Sequence, residues 1–398
     1  MSSPSLAPAV EAVDALTDDL VGLRRDLHAH PELAWQESRT TALVAERLEH
    51  AGMQVQLLPK SGLLAELGAP DGPLVALRAD LDALPVDDRG DEPWSSTVDG
   101  VAHACGHDVH TSALVGAGLA LAAAHRQVPL TGRVRLLFQP AEEVMPGGAL
   151  EVIAAGALDG VDRVFGLHCD PSIDVGRVGL RVGPLTGAAD ALTVRLTGHG
   201  GHTSRPHLTE DLTYALGKLV TDLPGALSRR LDPRAGASLV WGVVRAGSAK
   251  NVIPAAGEVA GTLRMLDAVA WADAEDLVRV LIDQILAPYG VGADITYVRG
   301  VPPVVNEAGS TGLLAQGVRS VLGDEGAVST PQSLGGEDFA WYLEDVPGAM
   351  GRLGTRTPGG PTYDLHQGDL HIDERAIAVG AKVLAGAVLT TLDRSGPA

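Results

Sequence analysis

Three times in the first half of this chain, an apolar run of strand length breaks directly into acidic or imidazole side chains. Leu74-Val75-Ala76-Leu77 leads into Arg78-Ala79-Asp80-Leu81-Asp82, and Val134-Arg135-Leu136-Leu137-Phe138 leads into Gln139-Pro140-Ala141-Glu142-Glu143. Val164-Phe165-Gly166-Leu167 ends in His168-Cys169. Helical texture lies between these runs. Buried strands alternating with helices restrict the chain to an α/β fold with a doubly wound, mostly parallel sheet. In such sheets, sites form outside the carboxyl ends of the strands, which is where these polar groups fall.

The densest chemistry lies between the first two runs, in His103-Ala104-Cys105-Gly106-His107-Asp108-Val109-His110. Thiol, imidazole and carboxylate together suit a borderline-soft divalent metal, although a histidine-rich surface loop has the same composition. Gly106 permits a tight turn, so that Cys105 and His107 can point at one place. The apolar stretch from Thr111 to Ala124 then reads as a buried helix.

Asp80 and Asp82, one residue apart in an extended segment, face the same side. Burying both is costly unless a positive group is near. Adjacent Glu142 and Glu143 would ordinarily be a solvated pair. After a buried strand and the Pro140 turn, one ligand and one proton carrier is the sharper reading. Upstream, Leu16, Leu20, Leu23 and Leu27 recur at helical spacing until Pro31, and a second helix runs from Ser38, as its cap, to a Gly52 stop. His28 and His30, at the end of the first helix, read as packing or supporting groups rather than ligands.

The texture changes at Gly183-Pro184-Leu185-Thr186-Gly187. An alternating strand at 191–197 precedes a glycine-rich turn around His199 and His202 and a helix from about Glu210. Strands at 238–244 and 258–265, a helix near 272–286 and a strand at 294–298 follow. Strand, helix, two strands, helix, strand is the order of a ferredoxin-like sandwich. A length of 398 residues also exceeds one ordinary core. We therefore expect a catalytic domain at 1–184 and 299–398, split by an inserted α+β domain at 185–298. The last segment carries Gly336-Glu337-Asp338-Phe339 and His366, and ends in an amphipathic helix from Asp373 through Leu392.

With 50 acidic against 30 basic side chains the formal charge is −20, which repels nucleic acid and anionic membranes and obliges any anionic substrate to meet a local arginine. Two cysteines make no disulfide framework, and no secretory signal or spanning segment is evident, so a cytoplasmic protein is expected.

These stretches, in this order, resemble the two-metal aminoacylase and carboxypeptidase family of metallohydrolases. The nearest branch contains hippurate hydrolases, N-acyl-amino-acid amidohydrolases and plant auxin-conjugate hydrolases. Leu27-His28-Ala29-His30-Pro31-Glu32, Gly166-Leu167-His168, Gly201-His202 and Asn251-Val252-Ile253-Pro254 carry the likeness along with the stretches above, so that it covers nearly the whole chain. The resemblance implies that Cys105, His107, Glu143, His168 and His366 hold two divalent metals. Cys105 would replace the bridging carboxylate of other branches. Zinc is favoured by the thiolate, while manganese and cobalt are accepted in the group.

Glu142 matches the general base, Asp82 an aspartate supporting the site, and His202 a donor to the tetrahedral oxyanion. Asn251 and Arg264 match groups that hold the substrate carboxylate. Other branches have a histidine ligand where Asp80 stands, which leaves its role open. The implied reaction is hydrolysis of an N-acyl-L-amino acid by metal-activated water, in a homodimer whose inserted domain serves dimerisation or as a lid. A dipeptidase or carboxypeptidase on the same metals, and a catalytically silent binding module, are the competing readings.

Overall fold

The structure is a computed structural model that describes residues 6–394. The chain divides into two compact units, one of residues 1–185, 305–331 and 338–398, the other of 186–304 and 332–337. The second unit thus keeps its last long strand whole beyond the expected boundary at 298, and recruits a short later segment.

The first unit opens with helices α1 (Leu6–Ala29) and α2 (Ser38–His50), then strands β1 (Gln54–Leu57), β2 (Leu63–Gly68) and β3 (Leu74–Asp80). Next come α3 (His107–Gln127), β4 (Arg133–Gln139), α4 (Ala149–Ala154), β5 (Arg163–Asp174), β6 (Val178–Leu180) and β7 (Gly183–Pro184). The leucines at helical spacing are the buried stripe of α1. Ser38 is not the cap of α2 but its first residue. The carboxylate of Glu32 instead accepts from the backbone N–H of Arg39 and Thr40, at 2.9 and 2.8 Å, because an acid near a helix start satisfies its free donors.

In the second unit, β8 (Ala188–Thr197), β9 (Gly201–His202), α5 (Leu212–Arg230), β10 (Ser238–Ala246), β11 (Val252–Ile253), β12 (Ala256–Met265), α6 (Ala268–Ala272), α7 (Ala274–Leu286) and β13 (Gly292–Val301) follow in turn. Its four-stranded antiparallel sheet has the order β10-β12-β8-β13, the ferredoxin-like arrangement expected. Buried Asp190 is satisfied inside this unit by the Trp271 indole, the Tyr297 hydroxyl and the Gly300 N–H.

The chain returns to the first unit through β14 (Val305–Asn306), which pairs with β7, so the insertion leaves and re-enters on neighbouring strands. Then come α8 (Ala308–Leu322), β15 (Ala327–Ser329), α9 (Ala340–Asp345), β16 (Gly348–Arg356) and α10 (Arg375–Arg394). The eight-stranded sheet runs β1-β2-β4-β3-β5-β16-β6-β15. It is parallel through its centre, from β4 to β16, and antiparallel at β1-β2, β2-β4 and β16-β6. The mostly parallel, doubly wound α/β catalytic fold is thus as expected.

Two expectations change. The third apolar run does not end at His168: β5 continues to Asp174, because β16 pairs with it along that whole length. The final helix is a core element more than an amphipathic one. By length and composition it is apolar enough to cross a membrane, but 72% of that stretch is buried within the structure. It packs so closely on α8 that a Cβ on Gly317 would sit 2.7 Å from the Ala387 nitrogen.

Candidate metal centre

At the C-terminal edge of β3, the chain must bury two carboxylates, and the neighbouring strands supply their partners. Arg78, almost fully buried, donates to Asp80 Oδ2 at 2.6 Å, to Asp338 Oδ1 at 2.7 Å and to Gln139 Oε1 at 2.9 Å. Asp80 Oδ1 accepts from His110 Nδ1 at 2.6 Å, and His110 Nε2 in turn accepts the Cys169 N–H at 2.8 Å. Burial pushes the Asp80 carboxyl up, but His107, His110 and Arg78 outweigh it and hold it well below the usual carboxylate range. Asp80 is therefore tied to Arg78 and His110, with its Oδ2 also 3.7 Å from His107 Nε2.

Asp82, also buried, turns its carboxylate toward the Glu142 and Glu143 backbone, accepting their N–H groups at 3.0 and 2.9 Å. Its own carbonyl faces His107 Nδ1 at 2.9 Å. With Nδ1 donating there, Nε2 is the atom that His107 presents to the site. The turn carrying Glu142 and Glu143 is braced by Glu37, which accepts from Ala141 N at 2.8 Å and from Ser61 Oγ at 2.6 Å. Sequence reasoning missed Glu37: it lies among ordinary helix-start residues, and nothing local marks its reach to a turn a hundred residues away. Ala141 itself takes φ +55°, an uncommon conformation for a residue with a side chain.

Gly106, at φ +86°, makes the turn from Cys105 into α3, and a Cβ there would meet Cys169 Sγ at 2.9 Å. His168 gives Nδ1 to the Cys169 carbonyl at 2.8 Å, which leaves Nε2 3.5 Å from Cys105 Sγ. Burial, with the charge of Arg352 added, pushes the His168 pKa down and keeps the ring neutral, as a ligand must be. From the far end of the chain, His366 Nε2 stands 3.5 Å from Glu143 Oε1, which is 3.7 Å from His107 Nε2.

The five expected ligands thus come together as two triads, Cys105-His107-His168 and Cys105-Glu143-His366. The donor atoms of each lie within 4.8 Å of one another, and the thiol belongs to both. The residues fit divalent metals on two grounds. His107 Nε2 and Glu143 Oε1 are buried atoms with no hydrogen-bond partner, although both lie in the centre of this polar cluster. The donors are also imidazole, thiol and carboxylate, the set that zinc takes. Burial and the charge of Glu143 push the Cys105 thiol well above its ordinary pKa, so a cation is what would favour the thiolate. Glu142 lies outside these two triads but forms a further close group with His107 and Glu143, its Oε2 3.9 Å from His107 Nε2; Asp80, His107 and His110 form another.

Behind this centre, His28 contacts Asp108 at 2.7 Å and Asp88 at 3.4 Å. These carboxylates raise its pKa against the effect of burial. His30 is exposed and bonded to the Asp26 carbonyl, away from any ligand role. His103 is buried without a hydrogen-bond partner, and burial lowers its pKa to about 4.

In the second unit, β9 pairs with β11 so that His202 lies opposite Val252, the residue after Asn251. His202 Nδ1 accepts the Ser204 N–H at 3.1 Å, which puts the ring proton on Nε2 as a donor on an exposed side chain. Arg264 lies on β12, its Nη1 donating to the Leu334 carbonyl at 2.6 Å.

The sequence profile of Peptidase family M20/M25/M40 matches residues 76–390. A protein of Rhodococcus jostii (strain RHA1), provisionally named glutamate–cysteine ligase 2-3, is 50% identical over 95% of this chain, which spans 47% of that relative's length. The N-acetyl-L-cysteine deacetylase of Bacillus subtilis (strain 168) is 38% identical, over 96% of this chain and 90% of its own. Among solved structures, a dinuclear metal binding peptidase of Bacillus subtilis superposes with a TM-score of 0.82 at 34% identity, covering 95% of this chain and 99% of that one.

Proposed function

The chain belongs to Peptidase family M20/M25/M40 and is a metallo-amidohydrolase, and from that premise we propose that it cleaves the amide bond of N-acyl-L-amino acids, releasing a carboxylic acid and a free amino acid. The observation that carries this reading is the pair of triads sharing Cys105, with the carboxylate of Glu142 beside them, its Oε2 3.9 Å from His107 Nε2. Cys105, His107, Glu143, His168 and His366 would hold two divalent ions, zinc by donor softness. Such ions, when bound, lower the pKa of water and polarise the scissile carbonyl.

Glu142 takes the proton from the attacking water and returns it to the departing amine. Asp82 keeps Glu142 and Glu143 in place through their backbone N–H groups. His202 offers Nε2–H to the developing oxyanion. Asn251 and Arg264 hold the substrate carboxylate, with the guanidinium supplying local positive charge in a chain of net charge −20. We further propose a cytoplasmic homodimer joined through the second unit, a compartment consistent with two free, buried cysteines.

The test is metal content together with hydrolysis of N-acetyl, N-benzoyl and indoleacetyl amino acids against dipeptides, before and after chelation. Two ions per chain and chelator-sensitive release of amino acid from the acyl conjugates are expected. Faster turnover of dipeptides would move the assignment to a peptidase, and bound metal without amide turnover would overturn the catalytic reading.

A further inference from the structure

The two triads differ in how they are built. Cys105, His107 and His168 are buried throughout, whereas the other triad ends on His366, whose side chain is 55% exposed. His366 also stands at φ +62°, where a residue with a Cβ is disfavoured. Backbone contacts on both sides keep it there. Its own N–H donates to the carbonyl of Ala104, the residue before Cys105, at 2.7 Å.

Two residues on, the Gly368 carbonyl accepts the Arg89 N–H at 2.7 Å, and the Leu370 N–H closes a turn onto the Gln367 carbonyl at 3.0 Å. The Arg89 guanidinium adds an exposed pair with Asp369 at 3.1 Å. The seat is so close that a Cβ on Gly368 would overlap the Asp87 carbonyl oxygen, which is backbone and cannot rotate away. Any larger residue must part the two loops. His366 is two residues from the point where they would separate.

We propose that Gly368 is a positioning residue that sets the hold on one of the two ions. Its bare backbone lets the 364–372 loop seat on Asp87–Arg89, and that seat keeps His366 over Cys105 and Glu143. The ion of the Cys105-Glu143-His366 triad is accordingly the exchangeable one, and the ion of the buried triad is retained. This inference rests on the two-metal reading given above.

The experiment is a chelator titration of the full chain loaded with zinc, counting ions per chain by elemental analysis. The same titration follows Cys105 in the cobalt-loaded protein by its thiolate-to-metal charge-transfer absorption. The wild type should lose one ion well before the other. Gly368→Ala should weaken that first ion about ten- to a hundredfold, the range for residues that orient a ligand, and Gly368→Val should weaken it further. In both, one ion and the thiolate absorption persist, which also reports that the fold is intact. Arg89→Ala, which removes only the exposed pair, should have a smaller effect in the same direction.

Two ions held with wild-type affinities in both glycine variants would overturn the proposal, as would loss of both ions together. A wild type that binds fewer than two ions would instead overturn the two-metal reading itself.

Discussion

Glu142 and Glu143 are adjacent and chemically identical, yet their surroundings differ. Glu143 Oε1 is buried, without a hydrogen bond, and shared between His107 and His366. Glu142 is in neither triad that contains Cys105, although its carboxylate also lies within metal-sharing distance of His107 and Glu143. Glu142→Gln should therefore lower kcat on N-acyl amino acids by about a hundredfold to ten-thousandfold while leaving both ions bound; steady-state rates beside metal counts check this. Loss of metal in that variant would mean that Glu142 is a ligand. At this scale much was legible. Cys105, His107, Glu142 and Glu143 lie in short runs whose residue types already suggest their chemistry. Glu37 was not, because its importance comes from touching the Ala141 turn, a contact set by the fold.

The elements place these residues through a small number of buried charges. At the end of β3, Arg78 spans Asp80 and Asp338, and His110 holds the other oxygen of Asp80. Removing Arg78 takes away the one guanidinium that both buried carboxylates share, leaving Asp80 to His110 and Asp338 to Gln139 and Ala149, so Arg78→Met should destabilise the chain by about 3–5 kcal/mol, read from urea unfolding. That a positive group was needed there followed from the sequence. That Asp338, a partner 260 residues away, would share it did not.

A second charged device is the start of α8. Glu307 accepts the Gly309 and Ser310 N–H groups at 2.7 and 2.6 Å, and these bonds lower its pKa from 4.5 to about 2. A carboxyl depressed on folding contributes stability that is fully present above its unfolded value and is lost as pH falls through the folded one. Stability should therefore decline between about pH 4.5 and 2 in part through Glu307. Glu307→Gln should flatten that part of a stability–pH curve, and a titration of the Glu307 carboxyl by NMR should report the low value.

For the whole molecule, the charge of −20 is the dominant long-range feature. An N-acyl amino acid is itself an anion, so the global field opposes its approach even where an arginine receives it. Raising ionic strength toward 0.1 M, where the screening length is about 10 Å, should increase kcat/KM for such substrates several-fold. A neutral amide of the same acyl group should be indifferent. A fall with added salt would show that local positive charge governs encounter.

The layered α/β plan and the inserted sandwich were legible because periodicity and element order are local signals. The strand order was not. Short β6 and β15 carry little apolar signal, and the place of β16 depends on pairings with strands made long before it.

The position of β16 bears on how this protein comes into being. It fills a gap between β5 and β6 in the middle of the sheet, and the ribosome reaches its last residue, Arg356, only after the entire insertion has been made. Until then the nascent chain carries two bare strand edges, one of them next to His168, and such edges invite pairing with other chains. His366 arrives later still. A chain synthesised only as far as β6 therefore lacks both its central strand and the last of the five proposed ligands. Chaperone demand should be greatest during that interval, and the proposed ligand set cannot be complete before His366 is made.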